Sequence, residues 1–152
     1  MRYKNTLNNI KTINKLIPQP LENIILEGYT RLEQGIIKQA SVEAIRNNKK
    51  TPSTITQTTQ NLIIYTPTTL FKKDEILILP KNTIRKIKLN KAPILTKNKN
   101  NPATTALIIT IIHTNENHQI QTLLITLPIV DQETIQYTRE FLTLLTKQNH
   151  QV

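Results

Sequence analysis

The chain has 152 residues, a net charge of +10 and no cysteine. Disulfides, thiolate metal sites and cysteine nucleophiles are therefore excluded, and a chain of this length makes one compact domain that buries roughly 70% of its unfolded surface. Its two glycines, Gly28 and Gly35, are too few for a glycine-rich phosphate loop.

Residues 5–17 carry Leu7, Ile10, Ile13, Leu16 and Ile17 at helical spacing, with Lys11 and Lys15 off that face and Pro18 and Pro20 beyond it. The stripe is short and holds no Phe or Trp. It therefore predicts a helix packed on its own domain rather than one lying on an anionic membrane. The first residues show no continuous apolar region, so no signal peptide is expected. Residues 21–46 read as strand, turn, strand, because Gly28 and Gly35 each cost a helix about 1 kcal/mol relative to Ala. Residues 47–60 hold Ile55 as their one aliphatic side chain and read as a mobile polar loop.

Four short strands follow. Leu62-Ile63-Ile64-Tyr65 precedes a turn at Thr66-Pro67-Thr68, and Thr69-Leu70-Phe71-Lys72 follows it. Lys73-Asp74-Glu75 turns into Ile76-Leu77-Ile78-Leu79, which Pro80 stops, and Ile84 with Ile87-Lys88-Leu89 gives the fourth strand. A second polar loop spans 90–104. Strands near 105–113 and 119–127, joined across Thr114-Asn115-Glu116-Asn117, form a hairpin. Both are apolar on both faces, which predicts a central or covered position. The run Ala106–Ile112 is far short of the ~20 residues that a membrane-spanning helix needs, and a cytoplasmic location is the default expectation.

Pro128 breaks the last strand, and Asp131 is placed to cap a helix whose stripe is Val130, Thr134, Tyr137, Phe141, Leu144 and Leu145. The order of elements predicts a mainly β (α+β) fold. Its core is an antiparallel bent sheet or split barrel of about seven strands, closed by the C-terminal helix, with a short N-terminal helix before it.

Three segments carry a resemblance: Ile63-Ile64-Tyr65-Thr66 followed by Leu70-Phe71; Pro80-Lys81-Asn82-Thr83-Ile84-Arg85-Lys86-Ile87, in which Pro is followed by Ile at the fourth and seventh positions after it; and the acidic-then-apolar lead Pro20–Gly28. In these the chain resembles the GRAM-like and prokaryotic pleckstrin-homology-like (PH-like) domains. It departs from them at Asn61, where a glycine is frequent, at Thr69, where a base is frequent, and at Phe71, which comes one residue early. The resemblance covers about residues 20–148 and leaves 1–19 as a separate N-terminal amphipathic helix. It implies a binding scaffold without chemistry of its own.

The residues agree with a non-catalytic reading. His113 and His118 flank one hairpin turn, with Glu116 the nearest third ligand, and two such histidines are more often ordinary exposed side chains than a metal site. Neither a Gly-x-Ser-x-Gly elbow nor a His-Glu-x-x-His motif is present. Asp74 with Glu75, and Asp131 with Glu133, suit a turn and a helix start better than an acid–base pair. No cofactor is expected.

Charge is the one informative pattern. Seven of the ten net positive charges fall within residues 72–99, where Asp74 and Glu75 stand against nine bases, Lys72, Lys73, Lys81, Arg85, Lys86, Lys88, Lys91, Lys97 and Lys99. On one rim these bases would hold an anionic ligand. A protein partner ranks first, an anionic membrane surface second and nucleic acid third, since the segment has a single arginine for bidentate contacts and only Phe71 for stacking.

Overall fold

The computed structural model describes residues 6–16, 21, 26–36, 53–67, 74–94, 104–129 and 132–147. Helix α1 is Thr6–Leu16. The strands are β1 (Leu26–Gln34), β2 (Ser53–Gln57), β3 (Asn61–Thr66), β4 (Glu75–Pro80), β5 (Ile84–Ile94), β6 (Thr104–Thr114) and β7 (Ile120–Ile129). A 3-10 turn, Lys81–Thr83, joins β4 to β5, and helix α2 is Gln132–Lys147. The seven strands form one antiparallel sheet in the order β4-β3-β2-β1-β7-β6-β5, with β4 and β5 as its two edges. This matches the expected mainly β architecture, an antiparallel bent sheet with a C-terminal helix cap, left open between β4 and β5.

The bend is made within β1. Leu26, Glu27 and Gly28 pair with Ile55, Thr54 and Ser53 of β2, whereas Tyr29 to Gln34 pair with Thr126 to Gln121 of β7. One strand thus belongs to two half-sheets, and the handover falls at Gly28. A Cβ there would lie 2.5 Å from the Thr126 carbonyl oxygen and 2.7 Å from Leu127 Cδ2. No side chain fits at that approach, and the strand runs through Gly28 as expected. It ends at Gly35, whose φ of 80° suits glycine. Gly35 donates its N–H to the Ile120 carbonyl at 2.9 Å and accepts from the Thr122 hydroxyl at 2.6 Å, which locks the end of β1 to the start of β7.

Alternation along the strands sorts the core. Leu26, Ile55, Leu62, Ile64 and Leu79 from one half-sheet meet Leu107, Ile109, Ile111, Leu123, Ile125 and Leu127 from the other. Phe141 and Leu145 of α2 complete the same cluster, both fully buried. The opposite faces of β6 and β7, including Ile108, Ile112 and Leu124, are buried too, as their two-sided apolar pattern requires.

Helix α1 packs on the outer face of the first half-sheet. Ile13 is buried against Ile63 and Tyr65, Asn9 donates to Thr54 Oγ1 at 2.9 Å, and Thr12 bonds the Tyr65 hydroxyl. Leu16, although on the predicted stripe, is exposed.

Four expectations are corrected. The loop expected at 47–60 contains β2, and all of Ser53–Gln57 is buried. Thr54-Ile55-Thr56 is β-branched throughout, and Ser53, Thr54 and the Gln57 amide N–H find hydrogen bonds, so a strand with a single aliphatic residue suffices. The loop expected at 90–104 is shorter, because β5 runs to Ile94 in register with Thr104. Pro93 is tolerated there because β5 is an edge strand. Pro128 does not break β7, which continues to Ile129 paired with β6; the β1 pairing ends at Thr126, so the missing N–H of Pro128 leaves no β1 bond unmade. On α2, Thr138 is buried and Tyr137 is partly exposed, since the Thr138 hydroxyl donates to the Thr134 carbonyl at 2.8 Å and needs no water. The predicted strand 69–72, the second strand of 21–46 beyond Ile36, and Val130 and Asp131 lie outside the described residues.

Two substitutions test the frame. Gly28→Ala is expected to destabilise by about 1–3 kcal/mol through overpacking against the β7 backbone. Phe141→Ala is expected to cost about 3–5 kcal/mol through the cavity it leaves under α2. Both are read as a lowered urea midpoint at unchanged m.

Candidate functional site

The basic segment is divided by the fold. Lys72, Lys73, Lys97 and Lys99 lie outside the described residues. Lys81, in the 3-10 turn, is buried at 3% exposure, and its backbone N–H donates to the Gln60 carbonyl at 2.8 Å. The remaining four sit on β5. Lys86 and Lys88 are in register with Ile112 and Thr110 and share one face of the sheet; Lys91, in register with Leu107, lies on the other. Arg85 is exposed where the register shifts between Ile84 and Lys86. Residues two apart on a strand are about 7 Å apart on one face, so Lys86 and Lys88 are neighbours. Among the described bases of this segment, then, the structure brings together one pair, Lys86 exposed and Lys88 half-buried, beside Arg85 on an edge strand.

Polar residues that sequence reasoning did not single out line the interior, away from α2. Ser53 Oγ lies 2.7 Å from Thr66 Oγ1 and 3.2 Å from Thr30 Oγ1, a hydroxyl chain across β3, β2 and β1. At the opposite end of β2, the Gln57 amide donates to the Phe141 carbonyl at 3.1 Å and ties α2 to the sheet. The Thr58 hydroxyl then accepts from the backbone N–H of Asn61 at 2.9 Å and closes the β2–β3 turn. The only signal of these roles in the sequence was the β-branched alternation around Ile55, which polarity masked.

The two turn-flanking histidines part company. His118 is exposed in the Asn115–Gln119 turn with a φ of 61°, where the Asn115 Oδ1 accepts from the N–H groups of Asn117 and Gln119, each at 2.9 Å. His113 is buried at 2% exposure, contrary to its expected exposed position, because alternation along β6 turns it inward with Leu107, Ile109 and Ile111. It pairs across the sheet with Gln121 and Ile84, not with His118. Among the described residues no three His, Cys, Asp or Glu side chains are grouped to hold a metal ion. Neither imidazole nitrogen has a well-formed hydrogen bond. Burial pushes the His113 imidazole below its ordinary value, and the adjacent Thr114 backbone offsets this only in part.

Acidic groups are few and engaged in structure. Asp74 accepts a short hydrogen bond from the Tyr65 hydroxyl, joining β3 to the start of β4. Burial first, and then the Asp74 bond and charge, push the Tyr65 phenol above its ordinary range. Arg31 and Glu33 form an ion pair along β1. Burial raises the Glu27 carboxyl. The arrangement supplies hydrogen bonding and a basic edge, with Ser53 already engaged by two neighbouring hydroxyls.

The buried imidazole yields a pH prediction. The folded state binds the His113 proton less readily than the unfolded chain, whose imidazole titrates at its ordinary value of 6.5. Stability is therefore full above that value and falls as pH drops toward the lowered folded value, with a slope of at most about 1.4 kcal/mol per pH unit. Urea titrations from neutral to mildly acidic pH should show the loss, and His113→Leu should flatten the curve in that window.

No family model matches the chain, and no curated protein matches it.

Proposed function

We propose that the chain is a non-catalytic binding module of the PH-like, GRAM-like kind, whose ligand is another protein. The observation that carries this reading is the bent sheet, with α2 filling its interior. Phe141 and Leu145 occupy the space between the half-sheets, where a small-molecule substrate would otherwise have to sit. The exposed functional groups lie instead on strand edges and turns, where binding modules on rigid scaffolds carry their contacts. Motif positions Ile63–Thr66 fall on β3, and Ile84 and Ile87 fall on β5 packed against the core, so the motif residues act in packing.

A second reading rests on one specific feature, the Lys86–Lys88 pair beside Arg85. An anionic membrane would gain about 1 kcal/mol per nearby base, and nucleic acid would gain salt-dependent affinity without sequence preference. Among the described residues no helix is long and apolar enough to cross a membrane, so contact with a bilayer through this face would be peripheral.

The two readings are separated by one set of variants. The full chain used as bait in its native cells is expected to retain a stoichiometric protein partner at physiological salt. The triple change Lys86→Glu, Lys88→Glu, Lys91→Glu is expected to leave its backbone fold intact. Sedimentation of the wild-type chain with anionic liposomes, or DNA binding, that the triple variant abolishes would overturn the protein-partner reading in favour of the basic face.

A further inference from the structure

We propose that β4 is a self-association edge, through which two copies of this chain join their sheets about a two-fold axis. The inference goes beyond the binding reading above and does not depend on the module's ligand.

Among the described residues the sheet ends in two unpaired edges, and they are protected unequally. Strand β5 carries Arg85, Lys86, Lys88 and Lys91, a register shift after Ile84, and Pro93. Charges, bulges and prolines are the devices by which an edge is kept from pairing with another chain. Strand β4 has none of these along its centre. Ile76-Leu77-Ile78-Leu79 is uncharged, and Ile76 and Ile78 are 37% and 44% exposed. An uncovered apolar edge of this kind is an invitation to another strand.

A second copy fits the alternation of β4. Leu77 and Leu79 face the core, while Ile76 and Ile78 lie on the outer face, in register with Tyr65 and Ile63. A two-fold axis normal to the sheet keeps outer residues with outer and inner with inner. Centred on Leu77, it sets each Leu77 opposite its counterpart and each Ile76 opposite Ile78 of the other copy. Four isoleucines then meet on one face, an apolar cross-strand cluster of the kind that stabilises sheets. Pro80 falls opposite Asp74, outside the paired strand, where its missing N–H costs no ladder bond. Each Glu75 faces a Leu79 instead of the other Glu75.

Charge selects the same edge. Each copy carries +10, and two β5 edges would bring like charges together. Strand β4 itself holds no base and opens with Glu75 after Asp74, with Lys73 and Lys81 standing just beyond its ends, so basic copies meet less repulsion at β4 than at β5. The remaining long-range repulsion is screened by salt, so association should strengthen as salt is added. Binding of an acidic partner would show the opposite dependence.

Sedimentation equilibrium of the full chain is expected to show a mass that doubles with concentration, with more dimer at high salt than at low. Ile78→Lys, at an exposed position, should return the chain to monomer mass with unchanged circular dichroism. Leu89→Lys on β5 should leave the dimer in place. Because the native chain has no cysteine, the register is tested separately by oxidation. Opposed strand residues have Cα atoms about 4.5–5.5 Å apart, within disulfide reach. A mixture of Ile76→Cys chains and Ile78→Cys chains should cross-link several-fold more than either alone. A monomer at every concentration and salt, a dimer that survives Ile78→Lys, or cross-linking no greater in the mixture would each overturn the proposal.

Discussion

The close approach of two backbones at Gly28 is the contact on which the remainder of this molecule depends. Strand β1 serves two partners in turn, and the change of partner brings the Thr126 carbonyl to within 2.5 Å of where a side chain would begin. Glycine in a strand interior ordinarily costs about 0.5–1 kcal/mol relative to alanine. Here that cost is outweighed, because only a residue without Cβ lets β7 come close enough for the sheet to fold over. Once it does, Leu26 and Ile55 on one half face Ile125 and Leu127 on the other, with α2 between them. The core is thus a consequence of the bend, and the bend is set by one missing methyl group.

Much of this was legible before any coordinates. The strand density between 62 and 127, the hairpin and the terminal helix all follow from period-two and three-and-four spacing, because those segments bury aliphatic side chains on a regular stripe. What was not legible was β2. Its residues look like loop residues because polarity is ordinarily a surface property. Three of the five find partners from distant parts of the chain: Thr30 and Thr66 for Ser53, Asn9 for Thr54, and the Phe141 carbonyl for the Gln57 amide N–H; the Thr56 hydroxyl and the Gln57 Oε1 are buried without one. Such pairings are made by tertiary structure and leave no local periodicity. The same reason hid His113. A histidine beside a turn is normally exposed, and only the alternation of β6, counted from Leu107, turns it inward.

The site illustrates a further difference between sequence and space. A run of bases without an intervening acid is a linear fact, and a strand disperses it. Alternation sends Lys86 and Lys88 to one face and Lys91 to the other, while the 3-10 corner takes Lys81 inside. The charges do not gather into a rim among the described residues; they line an edge. Lysine on an edge strand keeps other strands away, and that effect is independent of any ligand. The basic segment is therefore explained in part by architecture before function is invoked.

The interior has two unlike ends, and the difference bears on how much each contributes to stability. Toward α2, Phe141, Leu145, Leu62 and Leu127 pack together, and the polar groups buried there are bonded to nearby backbone: the Gln57 amide to the Phe141 carbonyl and the Thr138 hydroxyl to the Thr134 carbonyl. Toward the β6–β7 turn, inward positions are Thr30, Ser53, Thr66, Gln121 and His113, and the last of these buries an imidazole without a well-formed hydrogen bond. Apolar burial contributes most of a domain's stability, and polar burial returns at best a small net gain. The α2 end therefore contributes the larger share of the stability, and the polar positions of the hairpin end the smaller. The division of the interior thus places the uninterrupted apolar packing at the helix-capped end and the polar burial at the other.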